Sequence, residues 1–462
     1  MIAGRKSPRT KRPTLRAART ALRALCAALF LGTFCASPGV YAQDLLTLYR
    51  LGQKNDPEIQ RARYEHMAKR EAMKQAIAGY LPVLTAQGEY VDTSQDIVSS
   101  DNTVFAKGET DFKTKTYTLT LTQPLINYAS FMQISQAGAK VSQANMTFEA
   151  AKQDLMIRVA ERYLAALASK DNLGFVRAEE TADRGHYELA KARHAMGLAP
   201  ITDLHDAKAR MTEVSARVFE AETVLDDARE ALREVCGEHV GDLASLRQEV
   251  PLKDPSPDDM NLWIKGAPDR NPEVLAQRFA VEAARREVSR QNAGHWPTVD
   301  LVGRHNNRDT DGSLFGGGSE VETTEILVQA NFTLFQGGYV LSRAREAKNL
   351  LRAAQRELER LERSVKRRVR AAFLGVKSAI SRVKALEESV RAQELTLDAK
   401  KYGFKSGLYT SLAVLDAERD LYLAKQKLSQ ARYDYLLNSL RLKRAAGILK
   451  EEDLEVINGW FQ

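Results

Sequence analysis

The chain lacks the repeated long hydrophobic runs that helical membrane spans require. Of its 462 residues 44% are apolar and 28% charged, and its mean hydropathy is −0.38, which excludes a multi-span helical membrane protein. Cysteine is almost absent. Cys26 and Cys35 fall near the N-terminus, in a segment that reads as a removable leader, so Cys236 is the one cysteine expected in the mature chain. That chain has no internal disulfide even in an oxidising compartment, and Cys236 reads as a packed apolar residue, not a reactive thiol. Acidic residues are missing from positions 1–42, which hold Arg5, Lys6, Arg9, Lys11, Arg12, Arg16, Arg19 and Arg23. Beyond position 42 the remaining 60 basic residues balance 60 acidic ones, so the net charge of +8 leaves no basic footprint for a nucleic acid.

Catalytic signatures are missing too. His66, His186, His194, His205, His239, His295 and His305 form neither an HExxH motif nor a Cys/His cluster, and there is no Gly-x-Ser-x-Gly elbow. His186 and His194 stand eight apart on a long helix, where a solvated face is the simpler reading than a metal site. Gly316, Gly317 and Gly318 are followed by no lysine and open no helix, so they read as a hairpin tip and not as a phosphate loop. No enzyme, cofactor or metal is expected.

The basic opening is followed by an apolar run from Leu22 to Phe34, interrupted by Arg23, and then by Val40-Tyr41-Ala42. This is the order of a secretory signal with cleavage before Gln43. Neither Cys26 nor Cys35 follows the small residue that lipoprotein processing needs, since Leu25 and Phe34 precede them.

The mature chain repeats itself. Asp56-Pro57-Glu58 matches Asn271-Pro272-Glu273 and Leu81-Pro82 matches Trp296-Pro297 at an offset of 215, Gln123-Pro124-Leu125-Ile126 lies over Phe332-Thr333-Leu334-Phe335 at 209, and Gly197-Leu198 with Asp206-Ala207 lies over Gly407-Leu408 with Asp416-Ala417 at 210. Four pairs in register indicate a duplication. The expected organisation is a signal peptide (1–42), a first repeat (43–237), a linker rich in proline and acid (238–258), a second repeat (259–449) and a tail (450–462). Within each repeat the expected order is short helix, strand, loop, strand, very long helix, tight turn, helix. Asp56 and Asn271 are N-cap residues before a proline, which start helices. Pro82 and Pro297 end them.

Period-two alternation then sets Tyr117, Leu119 and Leu121 against Thr116, Thr118, Thr120 and Thr122, and Ile326, Val328, Ala330, Phe332 and Leu334 against Gln329, Asn331 and Thr333. Leu84 to Tyr90 and Val299 to Gly303 are weaker strands. Proline is absent between 124 and 200 and after 297, which permits long helices. From Leu351 through Val365, Val369, Val376 and Val383 to Val390, apolar residues recur every three or four positions, about 3.5 on average, which is coiled-coil spacing. Positions from Ala137 to Val159 do the same. A helix from 341 to 402 would run roughly 90 Å, three times a bilayer's hydrocarbon core, and its charged faces require water.

Four amphipathic strands cannot close a barrel, and an open sheet edge is intolerable in hydrocarbon. The chain must therefore pool strands with its own copies. Two copies give a filled interior, whereas three give twelve strands and room for a lumen lined by the threonine face. At the turn between the long helices, Gly197 and Gly407 are suited to a left-handed C-cap and Thr202 to an N-cap. Asp203 and Asp206 share a helical face, and Asp416 is the repeat-equivalent of Asp206. These carboxylates either favour the helix N-termini or, gathered from several copies, form a cation-attracting ring.

The residues Gly407-Leu408-Tyr409-Thr410-Ser411-Leu412-Ala413-Val414-Leu415-Asp416-Ala417, then Leu421-Tyr422, Ala431-Arg432-Tyr433-Asp434-Tyr435-Leu436, Gly447 and Glu452-Asp453-Leu454, together with Gly197-Leu198-Ala199-Pro200-Ile201-Thr202-Asp203-Leu204, resemble the TolC family of outer-membrane efflux and type I secretion channels. With the duplication the resemblance covers nearly all of 43–455. It implies a mainly α protein with a transmembrane β-barrel: a homotrimer with a twelve-stranded barrel in outer-membrane lipid, four strands and long coiled-coil helices per protomer, and an α-helical periplasmic tunnel. The closed tip would open on docking to a periplasmic adaptor (membrane fusion protein) and an inner-membrane ABC or proton-driven transporter. It places the constriction at Asp203, Asp206 and Asp416 and the docking turns at Gly197, Leu198, Gly407, Leu408 and Tyr409. The first of two aspartates usual in the second-half motif falls on Ala413, and the arginine and tyrosine that latch the tip in the family fall on Tyr409 and Phe404. The expected function is a passive exit duct for polypeptides or small toxic compounds. The competing expectation is a non-conducting periplasmic coiled-coil or adhesin-like protein.

Overall fold

The computed structural model describes residues 43–99, 108–247, 250–312 and 317–461. The expected signal peptide, and parts of both strand-connecting loops including Gly316, lie outside them.

The duplication is visible first in the caps. Helix α1 (Leu45–Asn55) is followed directly by α2 (Pro57–Ala78), whose first turn is closed by Asp56 accepting from the Glu58 and Ile59 amides. Asn271 does the same for Glu273 and Val274 between α5 (Met260–Arg270) and α6 (Pro272–Asn292). Both cap residues are 3% exposed, so each cap also fixes its surroundings: Asp56 takes a hydrogen bond from Arg158 at 2.6 Å, and the Asn271 amide donates to the Ala445 carbonyl at 3.0 Å.

Past Pro82 and Pro297 the chain turns extended. Strands β1 (Val83–Ile97), β2 (Gly108–Ile126), β3 (Thr298–Thr310) and β4 (Ser319–Asn331) form one antiparallel sheet in chain order. The two repeats are joined through β2 and β3, paired from Thr114 opposite Thr310 to Ile126 opposite Val299, with a register irregularity at Pro124, which has no amide proton for the ladder. β1 and β3 run longer than their sequence signal suggests. β4 is shorter, and Phe332 and Leu334 lie beyond it. Its last pair is Asn331 with Thr298, and the neighbouring strand begins there, so nothing remains to hydrogen-bond with. β1 and β4 are left as free edges among the described residues.

The alternating sets differ in environment. On β2, Thr116, Thr118, Thr120 and Thr122 are half-buried on one face, whereas Tyr117, Leu119 and Leu121 are exposed on the other. Thr114 and Thr310 meet hydroxyl to hydroxyl at 3.2 Å. At the base of the strands the Tyr128 ring stacks on Trp296 with centroids 5.5 Å apart, and the Tyr80 hydroxyl donates to the Leu125 carbonyl. Amphipathic rings at this level match the aromatic girdle of an outer-membrane barrel.

Two long helices leave the sheet: α3 (Tyr128–Ala195), with 68 residues, and α7 (Tyr339–Lys405), with 67. Each spans about 100 Å. They fold back into α4 (Ile201–Cys236) and α8 (Ser411–Ala445), giving two antiparallel hairpins with separate apolar seams. One joins Leu173 and Val176 to Val214, Val218 and Leu225, and the other joins Val383, Val390 and Leu397 to Val414, Leu421 and Leu428. In the stripe read from the α7 sequence, Val365, Val369, Val376, Ala379, Val383 and Val390 are buried, whereas Leu351, Ala354, Leu358, Leu361, Ala372 and Leu386 are half-buried.

The largest core lies midway along the helices, where Leu45, Tyr49, Leu155, Tyr163, Leu436 and Leu454 meet. There the segment between the repeats and the C-terminal helix α9 (Glu451–Asn458) form one layer: Gln43 bridges to Leu243, Leu246 bridges to Phe461, and the Phe461 ring meets Tyr163 edge-on at 5.1 Å. Cys236 is fully buried in this core and its thiol donates to the Leu48 carbonyl at 3.6 Å. Burial pushes the thiol up to about 11, as befits a packed residue. Among the described residues no helix is long and apolar enough to cross a membrane.

Candidate functional site at the tip of the hairpins

Both hairpins end in the same device. Gly197 and Gly407 adopt φ of 71° and 80°, the left-handed region that a side chain disfavours. This brings the Leu198 amide onto the Arg193 carbonyl and the Leu408 amide onto the Gly403 carbonyl, each at 2.8 Å, closing the last carbonyls of α3 and α7. The restart of the chain differs between them. Thr410 caps α8, its hydroxyl accepting from the Ala413 amide at 3.2 Å. In the first repeat the expected cap Thr202 lies inside the first turn. Pro200 takes the capping position at φ −69° and ψ 157° with no side-chain bond, because its ring fixes an extended entry and it has no amide proton to leave unpaired.

The turns project apolar side chains into solvent: Met196, Leu198, Ile201, Tyr402, Leu408, Tyr409 and Leu412 are all exposed. Tyr409 folds back over Gly403, where a β-carbon would stand 2.4 Å from Cδ2 of its ring. Position 403 must therefore be glycine for the turn to keep this shape.

The three carboxylates singled out in the sequence have different settings. Asp203 and Asp206 are exposed and line a cleft of about 150 Å³ between the hairpins, together with Arg193, Phe404, Ser411 and Leu415. The Arg193 guanidinium lies 5.7 Å from the centre of the Phe404 ring, a cation–π contact between α3 and α7. Asp416 faces the other repeat instead: its Oδ1 receives Arg210 of α4 at 2.8 Å and has Arg419 at 3.8 Å. No group of His, Cys, Asp and Glu arranged to hold a metal occurs among the described residues. His186 and His194 are not brought together; His194 Nδ1 lies 3.1 Å from the Ala199 carbonyl, and His186 turns into the space between the hairpins.

Sequence reading missed Arg210, Arg193 and the buried Glu418, to which His186 and Lys401 point. A signal for Glu418 was present: it sits inside the apolar stripe Val414, Ala417, Leu421, where a charge is out of place unless partnered.

Comparison with known proteins matches this architecture. A family model described as outer membrane efflux protein matches residues 48–238 and 263–448, one stretch on each half of the chain. The chain is 32% identical over 430 residues to outer membrane protein TolC of Vibrio cholerae serotype O1, covering 93% of this chain and 95% of that one. It is 29% identical over 423 residues to alkaline protease secretion protein AprF of Pseudomonas aeruginosa, covering 91% and 88%. Among solved structures, outer membrane protein VceC of Vibrio cholerae aligns with a TM-score of 0.74 at 18% identity, covering 87% of this chain and 96% of that one. The CmeC outer membrane channel of Campylobacter jejuni aligns with a TM-score of 0.75 at 13% identity, covering 90% of each. The duplicated hairpins, the four-stranded sheet and matches that run nearly end to end show that this chain belongs to the outer membrane efflux protein family, whose members are outer-membrane channels and not enzymes.

Proposed function

We propose that three copies of the chain pool their sheets into a twelve-stranded barrel and their helices into a periplasmic tunnel, forming a passive exit duct for cargo driven by a separate pump. One observation carries this reading: among the described residues the sheet has two free edges, and β2 presents a threonine face on one side and an apolar face on the other. That combination has a use only where the edges are closed by further copies, lipid lies outside and water inside. A non-conducting coiled-coil or adhesin-like protein has no need of a sheet with a threonine face opposite an apolar one.

At the other end, the exposed apolar turns at Gly197, Leu198, Gly407, Leu408 and Tyr409 serve as the docking surface for a periplasmic adaptor working with an inner-membrane ABC or proton-driven transporter. Asp203, Asp206 and Asp416 lie where the tips converge and form the constriction. The pump selects the cargo, whether a secreted polypeptide or a small toxic compound; similarity to both TolC and AprF accommodates either. Planar-bilayer recording of the purified protein tests the duct, with native mass spectrometry in detergent reporting the copy number. Correctly folded oligomers without ion conductance, or a folded monomer as the main species, would overturn it.

A further inference from the structure

The space between the two hairpins, just above the tip, holds charges from every helix that borders it. Helix α3 contributes Glu179, Asp183 and His186; α4 contributes Arg210 and Arg217; α7 contributes Lys401; α8 contributes Asp416, Glu418, Arg419 and the Tyr422 hydroxyl. Glu179 is paired with Arg217 at 2.9 Å, Asp416 with Arg210 at 2.8 Å, and Glu418 with Lys401 at 2.8 Å through Oε1. Two features stay unsatisfied. Asp183 is 6% exposed, and no cation lies within ion-pairing distance of it among the described residues. Glu418 Oε2 is buried without a hydrogen bond, and 3.3 Å from it stands His186 Nε2, whose other ring nitrogen is 3.3 Å from the Ser411 hydroxyl.

We propose that Asp183, His186 and Glu418 form a proton-operated clamp between the hairpins, which tightens as protons are taken up and holds the tip closed, and which loosens when they are released. The proposal rests on reading the tip as the gate of a duct. A proton on Asp183 neutralises a buried carboxylate that has no ion-pair partner among the described residues and ends its repulsion of Glu179 and Glu418. The His186 imidazole, 3.3 Å from Glu418 Oε2, links α3 of the first repeat to α8 of the second, and loss of the Asp183 charge relieves the repulsion that opposes this link.

The chemistry places the transition in a usable range. Burial, followed by the charge of Glu179, pushes the Asp183 carboxyl up to about 6, against the opposing pull of His186 and Arg210. Burial also pushes Glu418 up, but the contacts of His186 and Lys401 outweigh it and hold that carboxyl below its ordinary value. Glu418 therefore remains the anion of the pair while Asp183 changes charge. Because the assembled clamp raises the Asp183 value above its ordinary 3.8, the assembled state gains as pH falls through about 6. The gain is complete below the ordinary value and absent above neutrality. From pH 7 to pH 5 this shifts the balance toward the closed tip by about tenfold per protomer through Asp183 alone.

The test uses the full-length oligomer in two assays. Bilayer conductance is recorded from pH 7.5 to pH 5, and spin-label distances are measured between Glu188→Cys on α3 and Asp398→Cys on α7 over the same range. The wild type is expected to lose at least tenfold in conductance, with a midpoint near pH 6 and a shortening label distance. Asp183→Asn, which imitates the protonated acid, should show the low-pH behaviour already at pH 7.5. The double variant Asp183→Asn, His186→Gln should respond to pH in neither assay. A double variant that keeps the full response would overturn the clamp and assign the titration to other groups such as Asp203 and Asp206. Absence of conductance at every pH would count against the duct alone, since the label distances still decide the clamp.

Discussion

Replacing Arg210 with alanine removes the shortest ion pair between α4 and α8 near the tip. Its Nη2 lies 2.8 Å from Asp416 Oδ1, and the two side chains are 27% and 36% exposed. Fully exposed pairs contribute 0.2–1 kcal/mol and charge-assisted hydrogen bonds shielded from water 1.5–3 kcal/mol, so this half-shielded pair should contribute about 1–2 kcal/mol per protomer. Three tips that open together would sum it to about 3–6 kcal/mol, a shift of roughly 10² to 10⁴ toward the open state. Single-channel recording in planar bilayers at constant pH and salt should show Arg210→Ala opening far more often than the wild type. Asp416→Ala should do the same, and the double variant should add little, because both remove one interaction. If Arg210→Ala opened no more than the wild type while the oligomer remained intact, the pair would not hold the hairpins together and the reasoning would fail.

Three further outcomes are expected. Replacing Asp203 and Asp206 by asparagine should lower cation selectivity, measured as a reversal potential in a salt gradient, and weaken block by multivalent cations, with unchanged assembly; unaltered selectivity would reduce these residues to helix-terminal charges. Asp56→Ala should destabilise the protein by about 2–4 kcal/mol in chemical denaturation, from a lost cap and a lost bond to Arg158, while Asp56→Asn, which keeps an accepting oxygen, should cost less; equal costs would refute the division. An epitope inserted beside Gly317 should be labelled on intact cells, and labelling only after permeabilisation would reverse the orientation.

The fold was legible where a residue type has one structural use. Asp56 and Asn271 before proline could only start helices, Pro82 and Pro297 could only end them, and the threonine alternation of β2 emerged as one half-buried face of the sheet. Proline-free stretches became helices of 68 and 67 residues. What escaped depends on contacts between distant segments. β4 stops at Asn331 because its partner begins at Thr298, which no local pattern encodes. Thr202 is a good cap by type, yet Pro200 sets the entry angle first. At the tip the sequence singled out three aspartates. Their different partners, Arg210 for Asp416 and a cleft beside Arg193 for the other two, follow from how two hairpins 210 residues apart in sequence lie against each other.

The free edges of β1 and β4 also bear on how the protein is made. A lone chain exposes two rows of unsatisfied amides and carbonyls beside apolar side chains, so it can neither enter hydrocarbon nor rest safely in water. Insertion is therefore coupled to meeting other copies. Its rate should rise steeply with the local supply of newly exported chains, and stability cannot be separated from protomer concentration. A cell that exports the chain slowly would accumulate an edge-exposed intermediate that chaperones must shield or proteases remove, whereas bursts of synthesis at one place would favour completed channels.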